Sequence, residues 1–138
     1  MVLVDTGVNS SHLFWRFNLI DLKKIKRFAQ EIHDNNNDGH GFDHIERVVA
    51  LAQKILLTEP SANQELVLAT CYLHDTYDEK LTDDVPKQKA KVAQFLNELK
   101  IDKKLIDELF MIIDNMSFSS NLIERKTLSL NGQIVQDA

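Results

Sequence analysis

The chain has 138 residues, 21 acidic against 16 basic with a formal net charge of −5, 43% hydrophobic and 27% charged residues, and only four glycines, two prolines and one cysteine. These values exclude the disordered, collagen-like and disulfide-framework classes, and the acidic balance excludes broad electrostatic binding to DNA or RNA. One domain of helices joined by few loops is expected, in a cytoplasmic protein, because no run approaches the ~18 apolar residues of a membrane span and the N-terminus lacks the pattern of a secretory signal.

Residues 1–18 show no periodicity and read as a tail with an apolar anchor at Leu13, Phe14, Trp15 and Phe17. From a cap at Asn18 or Asp21, Leu22, Ile25, Phe28, Ala29 and Ile32 recur at helical spacing. The intervening Lys23, Lys24, Lys26 and Arg27 then form a solvated face of that helix. After the polar run Asp34 to Gly41, Asp43 stands where a cap belongs, with Glu46 three residues on and a stripe of Ile45, Val48, Val49, Ala52, Ile55 and Leu56. Beyond Pro60, Ser61 and Gln64 suggest a second capping box. The segment Leu66 to Leu73 is apolar nearly all round, as a central helix is, and carries Cys71. Pro86 suits the first turn of a fourth helix with Val92, Phe95, Leu96 and Leu99 facing inward. Asp102 caps a fifth with Leu105, Ile106, Leu109, Ile112, Ile113 and Met116 inward. Residues 117–132 are irregular, with one helical turn expected near Asn121 to Arg125, and Asn131-Gly132 signals a turn before an element begins at Ile134. The expected architecture is all-α: a single-domain bundle of about five helices over residues 19–138.

His44 follows the cap of the second helix, and His74 and Asp75 are adjacent at the end of the apolar third helix. A buried imidazole and carboxylate side by side cost several kcal/mol in desolvation unless something pairs with them, and a divalent metal does so. Imidazole and carboxylate donors suit Mn, Fe, Zn or Mg with open water positions. The alternative is an ordinary helix end with a histidine near the dipole.

The order His44, His74-Asp75, Asp137 resembles the H…HD…D signature of the HD-domain metal-dependent phosphohydrolases. The surrounding segments, Gly39 to Val48, Tyr72 to Asp75 and Ile134 to Ala138, resemble the small stand-alone bacterial members, some of which act on nucleoside triphosphates. The resemblance runs from about Leu19 to the last residue. It implies His44, His74, Asp75 and Asp137 as ligands of a divalent metal (Mn, Fe, Co, Ni, Zn or Mg). It also implies water attack on a small phosphorylated substrate, a nucleotide or related ester; the charge balance and the lack of a long apolar run add the expectation of no membrane and no stable nucleic-acid partner. Asp78 and Glu79 resemble, in reversed order, the acidic pair past the doublet in the related alarmone hydrolases, where one of them orients the water; the alternative is a solvated loop. Arg47, Lys80 and His40 are candidates to meet substrate phosphates, and surface charge explains Arg47 and Lys80 equally well. His12 and His33 carry no assigned role, and Ser117, Ser119 and Ser120 fit turn chemistry as well as a substrate loop.

The resemblance further implies helices past the last ligand that cover the site. Only Asp137 and Ala138 remain, so Asp137 is expected to fray, turnover to suffer and uncovered apolar surface to favour self-association. Two other function classes stay in view. One is a catalytically impaired helical interaction module. The other is calcium binding, because Asp34, Asn36, Asp38 and Gly39 match positions 1, 3, 5 and 6 of an EF-hand loop, although the position for the bidentate glutamate falls on Ile45.

Overall fold

Apolar side chains repeating every three to four residues need a partner surface, and here each stripe finds it in its neighbours. A computed structural model describes residues 20–36, 41–116 and 128–138, and among them it contains six helices and no strand. These are α1 (Leu22–Asn36), α2 (Asp43–Leu56), α3 (Gln64–Leu73), α4 (Val85–Glu98), α5 (Lys103–Asn115) and α6 (Leu130–Asp137). The all-helical architecture is as expected. His40, the serines of 117–120 and the turn near Asn121 lie outside the described residues.

The stripes point where the periodicity put them. Ile25, Ala29 and Ile32 of α1, Ile45, Val49, Ala52 and Leu56 of α2, and Ile106, Leu109, Ile112 and Ile113 of α5 are buried. The basic residues Lys23, Lys24 and Arg27 face solvent. Helix α3 is the axle of the bundle: it packs against α1, α2, α5 and α6, and Leu66, Val67, Ala69, Cys71 and Leu73 are fully or almost fully buried. A polar residue so enclosed must bond internally, and Thr70 Oγ1 donates to the Leu66 carbonyl at 2.6 Å. Burial pushes the Cys71 thiol up to about 12, so it stays protonated.

Several boundaries differ from the sequence reading. Asp21 caps α1, its Oδ1 accepting from the Lys24 N–H at 3.2 Å, and Asp84 and Asp102 cap α4 and α5. Asp43, by contrast, is the first residue of α2; Phe42 occupies the cap position with no side-chain hydrogen bond. Gly41 at φ +62° turns the chain into this helix, a conformation that glycine adopts without steric penalty. At α3 the cap is Asn63 and not Ser61, its side chain accepting from the Leu66 N–H.

The largest difference is at Asn131-Gly132, which lies in the first turn of α6 instead of in a turn before it. Ser129 is the cap, its Oγ accepting from the Gly132 N–H. Asn131 then joins three elements: its Oδ1 accepts from the Asn63 N–H at 2.8 Å, and its Nδ2 donates to Glu108 of α5 at 3.0 Å. A Cβ on Gly132 would stand 3.0 Å from Leu128 Cβ and 3.2 Å from Ile112 Cγ1, so glycine permits α6 to approach α5 closely. With Ile134 and Val135 buried, α6 packs on α3 and α2, the two helices that end and begin at the candidate ligands.

Candidate metal centre

Two helix ends bring the chemistry together. The start of α2 presents His44, and the chain just past α3 presents His74 and Asp75. One donor atom from each lies within 4.8 Å of the others. The distances are 3.8 Å from His44 Nε2 to Asp75 Oδ2 and 3.3 Å from His74 Nε2 to Asp75 Oδ1. The two imidazole rings stand 6.0 Å apart, edge to face.

His74 is oriented before any ligand arrives. Its Nδ1 is 2.7 Å from the Cys71 carbonyl oxygen, and because a carbonyl only accepts, Nδ1 carries the proton. The Nε2 lone pair is thereby turned toward Asp75. Two acceptor atoms at 3.3 Å are stable beside each other only with a proton or a cation between them, and a backbone-anchored imidazole is the usual support of a metal-ligating histidine. The residues therefore fit a divalent cation. The donors are nitrogen and oxygen; the neutral, buried Cys71 thiol takes no part, which favours borderline or hard metals over a thiolate site. Side-chain exposure rises from 13% at His74 to 51% at His44, so the centre opens to solvent on the α2 side.

That opening is a cleft of about 330 Å³ lined by His33, Gly41, His44, Arg47, Asp75, Asp78, Lys80 and Leu81. Arg47 and Lys80 thus stand in the same cleft as two of the candidate ligands. Asp78 lines it too, with its Oδ1 accepting from the Lys80 N–H at 2.9 Å, whereas Glu79 is exposed and lines only a second cleft behind the centre. Asp137 is the last residue of α6 and exposed; the mutual set of His44, His74 and Asp75 does not include its carboxylate. His33, which the sequence reading left without a role, also lines this cleft. It is buried in the last turn of α1, with its ring 5.9 Å from Phe42, and reaches the cleft only because α1 packs on α3; no spacing along the chain signals this.

The segment that carries Asp75 and Asp78 is pinned from behind. Thr76 Oγ1 donates to the Leu73 carbonyl, Gln88 of α4 donates to the Thr76 carbonyl, and the Tyr77 hydroxyl donates to Asp114 Oδ1 of α5 at 2.8 Å. Burial, followed by the Asp114 hydrogen bond, raises the Tyr77 pKa and keeps the phenol protonated as donor. Lys89 holds the other Asp114 oxygen at 2.6 Å. Tyr77→Phe is expected to cost about 1.5 kcal/mol of stability, the low end for a hydrogen bond to a carboxylate, read as a shift in the urea midpoint without change of slope.

The calcium reading loses its glutamate position to the core, since Ile45 is fully buried, and Asp38 and Gly39 lie outside the described residues. No helix of the described residues is long and apolar enough to cross a membrane.

Comparison with known proteins bears on the family and the fold. A family model described as HD domain matches residues 41–138, a span that includes His44, His74, Asp75 and Asp137. The uncharacterized protein YpgQ of Bacillus subtilis (strain 168) is 32% identical over 117 residues, 84% of this chain and 57% of the relative. A crystal structure of a Lactobacillus plantarum protein, solved as a structural genomics target, superposes with a TM-score of 0.76 at 35% identity, covering 84% of this chain and 53% of that one. The chain thus spans somewhat over half the length of these relatives.

Proposed function

The chain belongs to the HD-domain family, and from that premise we propose that it is a metal-dependent phosphohydrolase acting on a small phosphate ester, a nucleotide in the first instance. The observation that carries this reading is the convergence of His44, His74 and Asp75 beside a cleft furnished with Arg47 and Lys80. Asp137 is the fourth ligand in this reading. Helix α6 starts beside the cap of α3, through Asn131 and Asn63, and packs along α3 and α2, which supports a role for its far end near the doublet.

When bound, a divalent cation supplies an acidified water and offsets negative charge on the phosphoryl group. The protein's own residues do the rest. Arg47 and Lys80, with His33 at the wall, meet the anionic oxygens and hold the ester in the cleft. Asp78 accepts a proton from the attacking water and orients it; its place on both clefts favours it over the more exposed Glu79. His74, fixed by the Cys71 carbonyl, keeps the centre in register with that carboxylate.

Elemental analysis of the purified protein followed by a phosphate-release screen across nucleotides with Mn, Mg, Co and Ni tests the proposal. Retained metal and release of phosphate or pyrophosphate with at least one cation are expected. Neither metal nor release would leave the interaction-module reading in its place.

A further inference from the structure

The Asp75 carboxylate owes its place to its backbone. Asp75 lies past the last residue of α3, on a turn. Among the described residues, only the imidazoles of His44 and His74 stand close enough to pair with its oxygens. What holds the turn is the next residue. Thr76 is fully buried; its Oγ1 donates to the Leu73 carbonyl at 2.7 Å, and its own carbonyl accepts from Gln88 Nε2 at 3.2 Å, 12 positions along the chain. Tyr77 is then fixed on Asp114 of α5, and the Asp78 N–H closes back on the Asp75 carbonyl at 3.3 Å.

We infer that Gln88 is a positioning residue of the metal centre: through the Thr76 carbonyl it keeps the Asp75 carboxylate where the two imidazoles meet it. The inference rests on the metal-dependent reading and adds to it a residue from α4, a helix that carries no candidate ligand. That helix is a firm support. Asp84 caps it, accepting from the Lys87 N–H, and Pro86 stands in its first turn, so Gln88 projects from a fixed end. One turn further on Val92 is fully buried, and Phe95 stacks on Phe28 of α1 with ring centroids 4.0 Å apart. Lys89, next to Gln88, holds Asp114 at 2.6 Å, and Asp114 in turn accepts from Tyr77. Consecutive residues of α4 thus tie consecutive residues of the turn, Gln88 directly and Lys89 through Asp114. Without the Gln88 donor the Thr76 carbonyl is left buried and unbonded, so its peptide rotates toward water. Asp75 stands one peptide earlier and moves with it.

Calorimetric titration of the metal-free chain with Mn, Co and Ni reads this out without turnover. Gln88→Leu removes the donor and keeps the bulk. It is expected to weaken each metal that the unsubstituted chain binds by about tenfold, the lower end for losing an outer partner of a ligand. Gln88→Glu keeps length and shape but presents an acceptor at neutral pH, and is expected to lose as much. Val92→Ala, on the same helix, controls for loss of packing alone. It is expected to lower the urea midpoint at least as far as Gln88→Leu and to hold metal affinity within about twofold, because affinity read on a folded chain does not depend on the folding equilibrium. Unchanged affinity in either folded Gln88 variant, or an equal fall in Val92→Ala, overturns the positioning role. Release of phosphate with a metal affinity indifferent to Gln88 sinks that role alone. Metal binding that depends on Gln88, without phosphate release from any nucleotide, sinks the hydrolase reading and leaves the positioning role standing. An unsubstituted chain that binds none of the three metals sinks both.

Discussion

His74→Ala is expected to lower metal affinity by about 100-fold or more and to abolish phosphate release with every cation, while leaving the metal-free protein folded. The reason lies in how the side chain is held. Losing even an outer partner of a ligating histidine typically costs 10–100-fold in metal affinity, and alanine removes both the Nε2 donor and the Nδ1 anchor on Cys71. The imidazole is not a core group, since it keeps some exposure and packs at the end of α3, so folding itself should suffer little. Thermal melts with and without metal separate the two effects. At a metal concentration about 100 times its dissociation constant, the unsubstituted chain gains about 2.7 kcal/mol, several degrees in melting temperature, and the variant gains at most about 0.4 kcal/mol. Equal metal content in the two proteins would remove His74 from the ligand set.

Leu73→Ala, one residue earlier, is expected to act through the opposite route. Leu73 is fully buried in the helix that contacts α1, α2, α5 and α6. Truncating a leucine there leaves a cavity that surrounding helices cannot close together, at a cost of about 2–5 kcal/mol. Against a total stability of about 5–15 kcal/mol, that is a large fraction, visible as a lower urea midpoint. Metal should stabilise this variant as it does the unsubstituted chain, because the doublet remains. A cost below about 1 kcal/mol would mean that α3 is not the axle of the bundle.

These two neighbours illustrate what can be read along the chain. Leu73 belongs to a segment apolar on every face, and such a segment is buried whatever surrounds it, so its central position was legible before any contact was known. The stripe Ile45, Val49, Ala52, Leu56 was legible for the same reason, and it placed His44 at a helix start. Local cap chemistry proved less legible. Ser61 and Asn63 are both competent caps two residues apart, and what selects Asn63 includes its N–H contact with Asn131, 68 positions away. Asn131-Gly132 reads as a turn by composition, yet Asn131 bonds to α5 and α3, and Gly132 meets Leu128 and Ile112 where a side chain would crowd.

The sequence by itself determined the all-helical class, the apolar stripes and the family to which the motifs belong, because helical periodicity and motif order are properties of neighbours along the chain. Tertiary structure alone decided that His44 meets the His74-Asp75 doublet within 4.8 Å and that a buried His33 joins Arg47 and Lys80 in one cleft. It also decided that Tyr77 reaches Asp114 on α5 to form the wall of another cleft. Each of these depends on how α1, α2 and α5 seat against α3. That seating follows from close packing of many side chains at once, and no single spacing in the sequence encodes it.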